Sequence, residues 1–93
     1  MRRRVHIVVS GRVQGVGYRA SAHAKAVSLG ITGWVRNLPE GDVEILAEGD
    51  RFNIVAFIDW CGRGPRWARV DDLQVTDETP KEGFRGYSVF NIK

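Results

Sequence analysis

Apolar and polar residues alternate along residues 5–9, where Val5, Ile7 and Val9 are separated by His6 and Val8. Period two is the signature of a strand with one buried face. Residues 20–29 change rhythm. Ala22, Ala26 and Leu29 fall at i, i+4 and i+7, which predicts a helix with one apolar stripe. Ser21 is a candidate cap, although Tyr18 and Arg19 also suit a first turn, and Gly30 suits the position just past the end. Residues 31–37 predict a second strand. Leu38-Pro39-Glu40-Gly41 reads as a turn, and Val43, Ile45 and Ala47 restore period two over residues 42–48, so the pair forms a hairpin. Asp50 then caps a second helix whose stripe is Ile54, Ile58 and Cys61, widened by Val55 and Phe57. Gly62 and Gly64-Pro65 are its stop signals.

The next strand is out of phase with itself. Ala68 and Val70 share one face, whereas Leu73 and Val75 share the other, so a bulge near Asp71-Asp72 is expected. Residues 77–83 read as a polar loop. Tyr87, Val89 and Phe90 mark a short closing strand. The order β-α-β-β-α-β with one further strand predicts an α+β, ferredoxin-like split βαβ sandwich: an antiparallel sheet with both helices on one face. The 93 residues suffice for a single domain, 1–93.

This topology has a consequence for chemistry. A crossover through the first helix makes strands one and two parallel, so their C-terminal ends lie at the same edge. The third strand lies between them in this fold, which separates the ends by about 9.5 Å. That gap suits a phosphoryl group and one water. Gly11, Gly15 and Gly17 follow the first strand. Glycines open dihedrals closed to other residues, and consecutive free N–H groups make an anion-binding nest. The helix start adds unpaired N–H groups and a positive dipole end. Arg19 contributes a planar fork matched to phosphate oxygens. Asn37 ends strand two at the same edge.

Charge supports an anionic ligand. Residues 1–39 carry seven Lys or Arg and no Asp or Glu, against seven basic and eleven acidic residues over 40–93. This half steers anions toward the loop, unless Arg2, Arg3 and Arg4 are only a charged tail. Cys61 is the sole cysteine, which leaves no intrachain disulfide and fits a reducing, cytoplasmic setting. Its place in a helical stripe predicts a buried thiol rather than a nucleophile. His23, four residues after Arg19, reads as a surface helix histidine. His6 faces away from the Val5-Ile7-Val9 set and reads as structural, and Asp71-Asp72 as solvated. No spacing of His, Cys and carboxylates suits a metal, so neither metal nor cofactor is expected. No signal peptide or membrane span is visible, and no membrane partner is expected.

Gly11-Arg12-Val13-Gln14-Gly15-Val16-Gly17-Tyr18-Arg19 resembles the first signature of the acylphosphatase family, and Gly33-Trp34-Val35-Arg36-Asn37-Leu38-Pro39-Glu40-Gly41-Asp42-Val43 through Gly49 resembles its second. Tyr18 stands where the family often has Phe. The likeness continues through Gly64-Pro65 and Tyr87-Ser88-Val89. It implies hydrolysis of the carboxyl–phosphate bond of acyl phosphates, with Arg19 binding phosphate and Asn37 positioning the attacking water. The substrate-binding set is then Val13, Gln14, Gly15, Val16, Gly17 and Tyr18, with Trp34, Tyr18 or Trp67 as candidates to touch the acyl group. Inorganic phosphate is expected as product and inhibitor, and a monomer as the working state.

Three other readings are weaker. Arg85-Gly86-Tyr87-Ser88-Val89-Phe90 begins like an RNA-recognition motif but lies on the last strand, and the third strand offers Glu44 and Glu48 instead of stacking aromatics, so no nucleic acid is expected. A carbamoyl-phosphate-handling domain, such as the front of a hydrogenase-maturation protein, belongs to a longer chain with zinc-finger cysteines. A non-catalytic anion sensor would use the same nest, but the presence of both Arg19 and Asn37 argues against it.

Overall fold

The computed structural model describes residues 1–79 and 89–93. Its elements are β1 (Arg2–Arg12), α1 (Tyr18–Ser28), β2 (Thr32–Asn37), β3 (Val43–Asp50), α2 (Arg51–Arg63), β4 (Arg69–Glu78) and β5 (Phe90–Ile92). The strand order is β4-β1-β3-β2-β5. β1 and β2 both pair antiparallel with the strand between them, β3, so they run parallel to each other and end at one edge. The ferredoxin-like α+β architecture is therefore present, with one correction. The sheet is mixed rather than antiparallel, because β5 pairs parallel to β2. A strand of three residues carries too little periodicity to announce its direction.

The core forms where the alternations predict. Val5, Ile7 and Val9 of β1, Val43, Ile45 and Ala47 of β3 and Val35 of β2 are fully buried against Ala22 and Ala26 of α1 and Ile54, Phe57 and Cys61 of α2. Residues four apart on a helix share a face, and Tyr18, Ala22 and Ala26 extend the α1 stripe back by one turn. The Tyr18 hydroxyl donates to the carbonyl of Cys61 at 2.7 Å, so its polar tip is satisfied inside the core. Gly17, not Ser21, is the N-cap of α1. Its C-terminus closes as a Schellman turn: the N–H of Gly30 donates to Val27 and that of Ile31 to Ala26.

Asp50 caps α2 by accepting from the N–H of Phe52 at 3.0 Å. Two expectations about this helix need correction. Gly62 lies inside it, and the chain leaves at Gly64; one glycine costs only about 1 kcal/mol in a helix whose packed face holds it. Val55 is exposed, since it falls off the stripe that Ile54, Phe57 and Cys61 bury. The bulge in β4 is present. Ser10 pairs with Asp72 and Gly11 with Val70, which leaves Asp71 as the extra residue and lets Val70 and Leu73 both pack on the core. Asp77 and Glu78, read as loop, continue β4. Residues 80–83 of that loop, and Tyr87 and Ser88 of the closing strand, lie outside the described residues. Among the described residues no helix is long and apolar enough to cross a membrane.

The N-terminal arginines are not a tail. β1 is longer than its apolar core, because partners on both sides extend its pairing. Arg4 and Glu48 are cross-strand partners on the helix-free face, both buried and 2.6 Å apart. Arg2 also reaches Glu48 at 3.2 Å, and Arg3 reaches Asp77 at 2.7 Å. On the same face Glu44 accepts from Arg36 and lies 2.7 Å from His6, which gives His6 the structural role expected of it. Burial works to raise the pKa of Glu48, but hydrogen bonds from Arg4 and Arg2 outweigh it and hold the carboxyl below its ordinary value. For Glu44, burial is likewise outweighed by hydrogen bonds from His6 and Arg36.

A carboxyl whose pKa is depressed on folding contributes stability that is complete above its unfolded pKa and lost as pH falls through the folded one. The melting temperature is therefore expected to hold near neutral pH and to drop once the pH passes below 4.5, the ordinary glutamate value. Glu48→Gln should flatten that acid slope and cost about 3 kcal/mol at pH 7, since it strips the counter-charge from a buried guanidinium. Melting curves of both proteins from pH 3 to 7 check this; parallel acid slopes would refute it.

Candidate active site

The loop between β1 and α1 carries two left-handed glycines, Gly15 at φ 76° and Gly17 at φ 79°. A side chain is strained at such angles, whereas glycine adopts them freely. They let the chain turn sharply over residues 14–17, just ahead of α1. Among the described residues, the N–H groups of Val13 through Gly17 find no acceptor, and those of Tyr18, Arg19 and Ala20 precede the first rung of the helix ladder. The first turn of α1 contains no acidic residue to offset this concentration of donors. A row of unsatisfied donors at a helix start is an anion site.

A cavity of about 220 Å³ opens there, lined by Val13, Gly15, Gly17, Tyr18, Arg19, Ala20, Asn37 and Ile92. The fold thus brings together Arg19 from α1 and Asn37 from the end of β2, as the shared sheet edge requires. Arg19 is half-buried, and one of its terminal nitrogens donates to the main-chain oxygen of Lys93 at 3.3 Å. That oxygen is held in turn by the sheet, because the Lys93 N–H donates to Val35. One donor of the fork is spent on this tether, and the remainder are available to a ligand. The side-chain oxygen of Asn37 is buried and finds no hydrogen-bond donor among the described residues. A buried acceptor left unpaired costs roughly 1–3 kcal/mol. A water in the cavity would satisfy it.

Gln14 occupies a different position from the other loop residues. Its side-chain nitrogen donates to the carbonyls of Leu38 and Asp42, at 2.8 Å each. Both amide hydrogens are committed, so its backbone N–H is what it offers a ligand. The bridge ties the loop that leads into Arg19 to the turn that follows Asn37, and that turn is itself closed by Leu38 N–H donating to the Asp42 carbonyl. Gln14→Ala should therefore loosen the two halves of the site against each other. Turnover should fall roughly tenfold, with a stability loss of about 1–2 kcal/mol for two part-buried hydrogen bonds. Steady-state kinetics and a denaturant titration check this, and unchanged kinetics would show that the bridge is dispensable.

Several candidates lie elsewhere. Val16 packs partly on the core and lines a neighbouring hollow rather than this cavity. Tyr18 lines the cavity, but its side chain is buried and its hydroxyl is engaged by Cys61. Cys61 is fully buried, and burial pushes its thiol up to about 12, which suits a packing role and not a thiolate nucleophile. The His23 ring tilts against Phe90 at 6.1 Å and does not line the cavity. Trp34 lies on the helix-free face, with Arg36 and Lys93 over its ring at 5.1 and 4.5 Å. Of the basic residues in the first 39, Arg2, Arg3, Arg4 and Arg36 are ion-paired; Arg12, Arg19 and Lys25 form no ion pair with a described residue. The steering charge is thus smaller than the composition suggests, and Arg19 supplies it at the cavity itself. Ile92 and the Lys93 oxygen escaped the sequence reading. Ile92 belongs to the short β5 and Lys93 directly follows it, and no local pattern announces the pairing of that strand with β2.

Comparison with known proteins agrees with this geometry. The family model described as Acylphosphatase matches residues 5–92. A protein named Acylphosphatase from Methylococcus capsulatus is 54% identical over 87 residues, covering 94% of this chain and 95% of that one. An acylphosphatase structure from Coxiella burnetii superposes with a TM-score of 0.90 at 38% identity, over 99% of this chain and 93% of its own. One from Bacillus subtilis gives 0.90 at 36%, over 100% and 99%.

Proposed function

The chain belongs to the acylphosphatase family and hydrolyses acyl phosphates, and from that premise we propose how its residues divide the reaction. The N–H groups of residues 13–19 cradle the phosphoryl oxygens at the start of α1. Arg19 clamps two of those oxygens through the donors its Lys93 tether leaves available. Asn37 holds the attacking water through its side-chain oxygen. The water oxygen bonds to phosphorus, the bond from phosphorus to the acyl oxygen breaks, and its electron pair departs with the carboxylate. The proton lost by the water ends on the phosphate.

A mixed anhydride is already activated, because carboxylate leaves readily. Positioning and charge stabilisation then suffice, and no strong base is required. In this reading Arg19 and the backbone donors supply the positive charge that a metal supplies in other phosphatases. The observation that carries it is the buried, unpaired oxygen of Asn37 in the cavity that Arg19 and the loop also line.

Turnover of benzoyl phosphate, combined with competitive inhibition by inorganic phosphate, tests the reading. A preformed nest should bind a tetrahedral dianion without the acyl group, so phosphate should also raise the melting temperature at constant ionic strength, by mass action on the native state. Phosphate binding without turnover would identify an anion sensor. Turnover without phosphate binding would show that the loop is not preorganised.

A further inference from the structure

A second hollow, of about 480 Å³, adjoins the phosphate cavity and is lined by Arg12, Gly15, Val16 and Trp67. Gly15 lines both spaces, whereas Arg19 and Asn37 line the first alone. Gly15 is also a bare divide, since a Cβ built on it would meet no atom within 4 Å. Reaction geometry indicates what crosses it. In-line displacement places attacking and leaving oxygens on opposite sides of phosphorus. With the water on the Asn37 side, the leaving carboxylate points away from Asn37.

We propose that the hollow of Arg12, Val16 and Trp67 receives the acyl group, and that it selects acyl phosphates whose acyl group joins an apolar body to a second negative charge. This rests on the reading above that Asn37 holds the water. Trp67 supplies the apolar wall. It is 71% exposed, in a turn closed by the Ala68 N–H donating to Pro65, with the Arg66 guanidinium 5.3 Å from its ring centre. Val16 packs partly on the core and provides a fixed floor. Arg12 supplies the charge. Its neighbour across the ladder, Arg69, is neutralised by Asp71 at 3.0 Å, but Arg12 forms no ion pair with a described residue. An exposed guanidinium at the mouth of an anion-handling site is therefore uncompensated by any described residue and available to a ligand.

The test compares kcat/KM for acetyl, benzoyl and succinyl phosphate on each protein. Ratios taken on one preparation cancel any loss of folded enzyme. The wild type should prefer succinyl over acetyl phosphate. Arg12→Gln should reduce that preference roughly tenfold, the worth of one charge-assisted contact, and Arg12→Glu should invert it. Trp67→Ala should lower the preference for benzoyl over acetyl phosphate about fivefold and leave the succinyl ratio less affected. Ratios that stay constant in all three variants would overturn the subsite while leaving the phosphate site intact. A wild-type protein that hydrolyses none of the three would bring down the functional reading itself, and this proposal with it.

Discussion

Arg19→Lys is expected to fold as the wild type does and to lose nearly all turnover. The fork of Arg19 has two tasks in this reading: one donor holds the main-chain oxygen of Lys93, and the others serve the ligand in the cavity that Arg19 lines. Lysine is a point charge on a flexible stem and cannot present two parallel donors to one phosphate while keeping such a tether. Losing a bidentate, charge-assisted contact that strengthens in the transition state should cost about 3–5 kcal/mol, or a rate lower by a hundredfold or more. Phosphate affinity should weaken too, because the ground-state dianion uses the same donors. The fold should tolerate the change. A cation in the first turn of α1 opposes the helix dipole, and its hydrogen bond to Lys93 is exposed and long at 3.3 Å, so removing the charge relieves a mild strain at little cost. Arg19→Ala should then show a melting temperature equal to or slightly above the wild type without ligand, with the phosphate-induced rise abolished. Activity within a few-fold of wild type in Arg19→Lys would sink the assignment.

The parts of this molecule that could be read in the sequence are those where one local pattern suffices. Val5, Ile7 and Val9 announced a buried strand face because side chains alternate in every strand. The conflict of phase between Val70 and Leu73 announced the bulge, since no regular strand can bury both. The approach of Arg19 to Asn37 followed from topology, given two parallel strands ending at one edge. What escaped were contacts between distant positions. Gln14 reaches Leu38 across 24 residues, and Arg19 reaches Lys93 across 74. Whether Arg2, Arg3 and Arg4 are a tail stays open in the sequence because their partners, Glu48 and Asp77, are equally remote. The direction of β5 belongs to the same class. Register and pairing are decided by the whole sheet, and a three-residue strand adds almost nothing to that decision from its own composition.

Asn37 should fail differently from Arg19, and the difference tests the division of labour. Asn37→Ala removes the group that touches the nucleophile but leaves the loop donors, the Gln14 bridge and Arg19 in place. Binding of inorganic phosphate, where no attack occurs, should be nearly intact. The turnover number should fall by roughly a hundredfold or more while KM changes little, the pattern of an interaction made to the attacking group and not to the bound substrate. Stability should not suffer much, because alanine also removes a buried acceptor that finds no donor among the described residues. Asn37→Asp is the sharper variant, being almost isosteric. Its carboxylate accepts a hydrogen bond from water as the amide does, but it faces a phosphoryl dianion. Two unit charges about 5 Å apart repel by roughly 3 kcal/mol at an effective dielectric near 20. Phosphate should therefore bind Asn37→Asp worse than Asn37→Ala, despite the better match of shape. Inhibition constants for inorganic phosphate, measured beside turnover for both variants, give the order. If Asn37→Asp is active, or if Asn37→Ala loses phosphate binding as badly as Arg19→Ala, then Asn37 is a phosphate ligand or a structural support, and the water must be held by another group.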